Sequence, residues 1–230
     1  MSSYVENITA ILKKYENREE AEKISQYMKG KFTCFGLRAP QMREVAKNFV
    51  QEHGYPDSNV IIDVIKHMYA VPERELQIIS LYLMDHKLKH NPDIQDIELL
   101  EYMISTKSWW DTVDHIASNQ VGSYFKRFPE QTTKYVEKWL ESGNIWLIRT
   151  AILFQLKYKK ETNFTYLKKI IVRSTGTKEF FINKAIGWSL REYSKIDAEA
   201  VVEFINENND SLSNLSIREG LKWLKSKNLV

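Results

Sequence analysis

Lys107-Ser108-Trp109-Trp110-Asp111-Thr112-Val113-Asp114 closes on an aliphatic residue followed by a polar one, and that pair is where the fold becomes readable. Working outward in both directions, matching pairs stand at Met42-Arg43, Leu76-Gln77, Ile148-Arg149, Ile182-Asn183 and Ile217-Arg218. The polar members Arg43, Gln77, Asp114, Arg149, Asn183 and Arg218 follow one another at intervals of 34, 37, 35, 34 and 35 residues. Each falls in a helix beginning near Pro40, Pro72, Ser108, Asn144, Lys178 or Ser213, and one further amphipathic helix fits between consecutive members. Two helices per repeat at this period give a stack of helix pairs, an all-α solenoid. Equivalent positions of successive repeats line one surface, so the six polar residues are expected along a single face, the concave one.

The rest of the chain agrees with that period. Ile61, Val64, Ile65 and Met68 follow an i, i+3, i+4, i+7 stripe, and Val136, Trp139 and Leu140 do so over a shorter run. Pro40, Pro72 and Pro129 sit where a first helical turn can begin, because the missing N–H has no partner there. Asp57, Asp93, Asn144, Thr177 and Asp197 are candidate N-caps, and Gly54, Gly143 and Gly176 mark stops or turns. Only 8 Gly and 5 Pro occur in 230 residues, too few for the many turns of a sandwich or barrel. We therefore read one helical-repeat domain over 1–230, with about a dozen helices and no strand.

Charge narrows the function less than its distribution does. Thirty-three Lys and Arg stand against 30 Asp and Glu, a net charge of +3, yet Ile97 to Glu101 is acidic and Lys157 to Lys169 basic. Such unevenness can place a basic face within a nearly neutral total. The lone Cys34 excludes an intramolecular disulfide and a zinc cluster. The Met1-Ser2-Ser3-Tyr4-Val5-Glu6 start lacks a secretory signal, and no stretch approaches the roughly 20 apolar residues of a membrane span. A cytoplasmic protein is expected.

The chemistry concentrates in the opening segment. On a helix Trp110 and Asp114 are i and i+4 and share a face, while Trp109 and Val113 share another that suits the core. Any solenoid builds a solvated row of mixed polar residues. This row differs in make-up, with three arginines around one carboxylate and a tryptophan one turn away. The equivalent helices of the next two repeats are Asn144-Ile145-Trp146-Leu147-Ile148-Arg149 and Lys178-Glu179-Phe180-Phe181-Ile182-Asn183-Lys184-Ala185-Ile186-Gly187-Trp188.

These segments, in this order and at this spacing, resemble the AlkD-type DNA alkylation-repair glycosylases, which are built of HEAT-like repeats; the likeness runs from about Tyr4 to the last helix. The resemblance implies a right-handed solenoid of HEAT-like antiparallel helix pairs with a concave DNA-binding face. It implies base excision repair by hydrolysis of the N-glycosidic bond of N3- and N7-alkylated purines, such as 3-methyladenine and 7-methylguanine, without base flipping. It places the catalytic aspartate at Asp114, the active-site tryptophans at Trp110 and Trp188, and the active-site arginine at Arg149. A tyrosine that approaches the duplex falls on Tyr27.

Elementary chemistry fits those assignments. A cationic alkylated base leaves without a general acid, and the sugar cation needs a negative charge nearby, which Asp114 can supply directly or by orienting water. Indole faces favour positive charge by about 0.5–2 kcal/mol per contact. Arg149 is expected to hold a phosphate bidentately. Arg38, Arg43, Gln77, Lys157, Lys159, Asn183, Lys184, Arg191 and Arg218 are candidates for holding the duplex by salt-sensitive contacts. Arg38 stands where some relatives carry an uncharged polar residue. The expected protein is a monomer acting on duplex DNA, with neither metal nor organic cofactor.

Other patterns carry less. His86 and His90 stand at i, i+4 without a third metal ligand, and His115 points about a quarter-turn from Asp114. Thr175-Gly176-Thr177-Lys178 lacks the strand and glycine spacing of a phosphate-binding loop and reads as a helix–turn–helix connection. One alternative is a noncatalytic HEAT-like protein that binds DNA structure; retention of Asp114, Trp110, Trp188 and Arg149 argues against it. A protein-binding scaffold is the other, and a TPR array of the same period would carry a Trp/Leu-Gly/Tyr signature that is missing here.

Overall fold

The computed structural model describes residues 2–230, which gather into two compact units divided between Leu99 and Leu100. The first holds α1 (Ser2–Lys14), α2 (Arg18–Tyr27), α3 (Ala39–His53), α4 (Ile61–Ala70) and α5 (Arg74–His90). Helix α6 (Asp96–Ser105) carries the chain across the division. The second holds α7 (Trp110–His115), α8 (Gly122–Arg127), α9 (Thr132–Glu141), α10 (Ile145–Leu153), α11 (Phe164–Arg173), α12 (Phe180–Tyr193), α13 (Ala198–Glu207) and α14 (Asn214–Ser226).

Among the described residues the only β-pairing is an isolated bridge between Thr33 and Glu73. That bridge explains why Pro72 falls just short of its helix. The Arg74 N–H donates to the Thr33 carbonyl at 2.9 Å and Glu73 stays extended, so α5 starts two residues later. Pro40 lies in the first turn of α3, and Pro129 opens a short 3₁₀ turn ahead of α9.

The apolar stripe of α4 is buried as its spacing requires, with Ile61, Val64, Ile65 and Met68 all in the core. Asn144 and Asp197 cap α10 and α13 by accepting the N–H groups of Trp146 and Ala200 at 2.9 and 3.0 Å. Asp57 does not cap α4: its backbone carbonyl, not its side chain, accepts from Val60 and Ile61. Gly143 and Gly176 have φ of 67° and 77°, which lets the chain leave α9 and α11 sharply.

Within the second unit the helices that carry the polar register pack in series, α7 on α10, α10 on α12 and α12 on α14. The intervening helices form the other layer, with α9 and α11 against α10 and α13 against α12 and α14. Ile152, Ala185, Ile186, Leu190, Val201 and Leu224 fill the space between them. In the first unit α3 and α5 pack together in the same way, with α4 against α5.

Candidate active site

The site is built around Asp114. Lys107, at φ 46°, turns the chain out of α6, and Trp109 is extended just before α7. Trp109 is buried, with its ring centroid 5.7 Å from that of Trp146 and 5.2 Å from that of Phe181. Trp110 and Asp114 lie on the other side of α7 and are only partly covered. The helix then widens into a π-helical segment, Ile116–Val121. Ser118 Oγ donates to the Asp114 carbonyl at 2.8 Å, and Asn119 Nδ2 donates to that of His115 at 3.1 Å. Such segments are rare and recur at functional sites.

Arg149, on α10, is the partner of Asp114. Its Nε donates to one carboxylate oxygen at 2.7 Å and its Nη2 to the other at 2.8 Å, while Nη1 donates to the Phe181 carbonyl. The Arg149 side chain is 4% exposed and the Asp114 side chain 18%. The expectation is that Arg149 grips a phosphate; here its partners are Asp114 and the Phe181 carbonyl. Its fork is closed on a carboxylate inside the protein, so what it does is fix the plane and position of Asp114. Each carboxylate oxygen retains acceptor capacity beyond that one bond, and the Asp114 side chain keeps an open side.

That open side is a cleft of about 370 Å³ lined by Trp110, Asp114, Arg149, Phe180, Phe181, Lys184, Trp188 and Arg191. Lys184, Trp188 and Arg191 stand at i, i+4 and i+7 on α12 and so share a face. Both cations reach to Glu219 of α14, Lys184 at 2.7 Å and Arg191 at 3.0 Å. The ammonium of Lys184, with Arg191 and Lys222 nearby, holds the Glu219 carboxyl below the ordinary range against the opposing effect of burial. Gly187 makes the arrangement possible. A Cβ there would fall 2.5 Å from Cβ of Glu219 and 2.9 Å from the Ser216 carbonyl, so α14 approaches α12 only over a glycine.

The other expected residues divide. Gln77 and Asn183 do not join a solvated row. Gln77 is fully buried, and its Nε2 donates to the carbonyls of Met68 and Val71, closing the end of α4. Asn183 is also turned inward, but it ties down the turn ahead of its own helix: Nδ2 donates to the Thr177 carbonyl at 2.9 Å, and its backbone carbonyl accepts from Ser216 Oγ. Arg43, Lys157, Lys159 and Arg218 are exposed, with Lys157 Nζ on Asn119 Oδ1 at 2.6 Å. Arg43 lines a separate hollow in the first unit with Lys47, Tyr55 and Tyr82. Tyr27 is 69% exposed at the end of α2, and Arg38 pairs with Glu20.

Three lining or flanking residues escaped the sequence reading. Phe180 and Phe181 lie in a quoted motif, but apolar residues at a helix start look like packing. Glu219 lies one position past the repeat register at Arg218, and nothing in the spacing singles it out. Among the described residues no group of three or more His, Cys, Asp or Glu could hold a metal ion, and no helix is long and apolar enough to cross a membrane. His86 lies stacked on Tyr55, ring centroids 3.4 Å apart, and burial lowers its pKa.

Fold and site together define an all-helical repeat protein with a tryptophan-walled carboxylate cleft. Residues 8–224 match the family model described as DNA alkylation repair enzyme. A solved structure described as "Predicted DNA alkylation repair enzyme from Enterococcus faecalis" is 33% identical, with a TM-score of 0.83. The match covers 91% of this chain and 96% of that one. No curated protein sequence matched. The chain belongs to the DNA alkylation repair enzyme family.

Proposed function

We propose that the protein is a DNA glycosylase that hydrolyses the N-glycosidic bond of N3- and N7-alkylated purines in duplex DNA. The observation that carries this reading is the fixed Asp114 carboxylate at the wall of an open cleft between Trp110 and Trp188.

An alkylated N3 or N7 gives the purine a positive charge. When the bond from C1′ breaks, its electron pair goes to the base, which leaves neutral, and the sugar becomes an oxocarbenium ion. Asp114 faces that cation, stabilises it, and orients the water that adds to C1′ and passes its proton by way of the carboxylate to solvent; the products are an abasic site and the free base. Arg149 contributes by position, holding both carboxylate oxygens so that little reorganisation is needed as charge develops. The indole faces of Trp110 and Trp188 favour positive charge on base and sugar, and disfavour no neutral product. An adenine or guanine without the alkyl group would leave as an anion. The cleft lining offers no uncommitted acid to protonate it, which supports selectivity for cationic lesions.

An open, partly exposed cleft also suits reaction on a base that stays in the duplex rather than one swung into a deep pocket. In the second unit, exposed Lys157, Lys159 and Arg218, with Lys184 and Arg191, are proposed to hold the backbone by salt-sensitive contacts, and exposed Arg43 of the first unit is a separate candidate for such a contact. Incubation with duplex DNA treated with a methylating agent tests the function. Release of 7-methylguanine or 3-methyladenine is expected, and folded protein that releases neither overturns the reading.

A further inference from the structure

Lys184 and Arg191 bracket Trp188, one turn to either side on α12, and both direct their charged ends to the single carboxylate of Glu219. Glu219 is 9% exposed and lies against Gly187, the residue beside Trp188. The charge around the cleft makes this placement consequential. The lining holds one carboxylate, Asp114, against three cations, Arg149, Lys184 and Arg191. Arg149 already offsets Asp114. Two cations therefore flank the indole on which a positively charged purine is proposed to rest. A cationic ligand is repelled by such a wall unless another negative charge balances it.

We infer that Glu219 is a positioning residue and countercharge for this cleft, drawing Lys184 and Arg191 toward α14 so that the face of Trp188 remains hospitable to a cationic base. This rests on the glycosylase reading above. The same carboxylate limits how strongly the two cations grip phosphate, so Glu219 trades duplex affinity for acceptance of the lesion. A side chain that served only to pack α14 on α12 would have no such opposed effects.

The test is Glu219→Gln, which keeps the shape and removes the charge. On unmodified duplex the variant is expected to bind several-fold more tightly, with a log–log salt slope steeper by about 0.9 for each cation freed. On methylated duplex at saturating enzyme its rate of 7-methylguanine release is expected to fall by roughly tenfold. In a Lys184→Gln/Arg191→Gln background the Glu219→Gln penalty on release should vanish, because the two cations that flank Trp188 are gone. Unchanged or weaker duplex binding by folded Glu219→Gln overturns the inference, as does unchanged or faster release, or a penalty that persists in the double background. Should Glu219→Gln fail to fold, Glu219→Asp is read instead. It keeps the charge and is expected to bind and release like the wild type, and a folded Asp variant that loses release counts against the role. If wild-type protein releases no base, the glycosylase reading fails, while the binding comparison on unmodified duplex still decides whether Glu219 restrains the two cations.

Discussion

Gln77 in the first unit and Asp114 in the second occupy the same position of the repeat, yet the protein uses them differently. Gln77 is sealed in the core, where its amide satisfies two carbonyls at the end of α4. The first unit treats its charges in the same way. Glu75 is buried and accepts the N–H groups of Gly36 and Leu37 at 2.9 and 3.2 Å, and Lys87 is paired with Asp96 out of solvent. In the second unit the register position holds a carboxylate whose partner, Arg149, lies at the next register position and whose outer side opens to an aromatic cleft. A shared repeat position therefore fixes where a side chain starts, not what it does. The neighbours decide, and here they are Trp110, Phe181 and Trp188.

Arg149→Met should break this contrast most severely. It strips both hydrogen bonds from Asp114 and leaves the Phe181 carbonyl without its donor. Excision should fall by about 100-fold or more for loss of a preorganised charge, and stability by about 3 kcal/mol for a broken, mostly buried ion pair. Single-turnover release and urea unfolding read the two effects separately. A variant that keeps normal excision would show that Asp114 needs no positioning.

Gln77→Leu should have the smaller effect, and on stability alone. Two buried carbonyls lose their donor, at a cost of about 1–3 kcal/mol. Excision per folded molecule should stay within about twofold, since the buried amide presents no contact for DNA. A large loss of duplex binding in folded Gln77→Leu would restore Gln77 to the binding face and remove the contrast.

The period of the polar register made the helix pairs legible, because a repeat must bury its apolar stripes in the same way each time. Trp110, Asp114 and Arg149 came together from helix spacing and register alone, and family resemblance added Trp188. No Gly- or Pro-rich linker lies near Leu99, and α6 runs through that position unbroken. The tasks of Gln77, Asn183 and Arg149 were not legible. Whether an amide closes a helix end, ties down a turn, or a guanidinium meets a carboxylate depends on which carbonyl or oxygen the packing brings into hydrogen-bond reach. Glu219 was hidden for a related reason. It enters the site because Gly187 lets α14 come close, a tertiary consequence of a missing side chain.

The most direct measurement compares wild-type protein with Asp114→Asn on duplex DNA carrying 7-methylguanine, following base release and duplex binding in the same samples. Asparagine keeps the shape and one acceptor for Arg149 but removes the negative charge. Release should fall by about 10²–10³-fold while binding weakens by no more than a few-fold, as expected for loss of transition-state electrostatics. Normal release by folded Asp114→Asn would contradict the account, because the cleft would then be doing its chemistry without the carboxylate on which its walls converge.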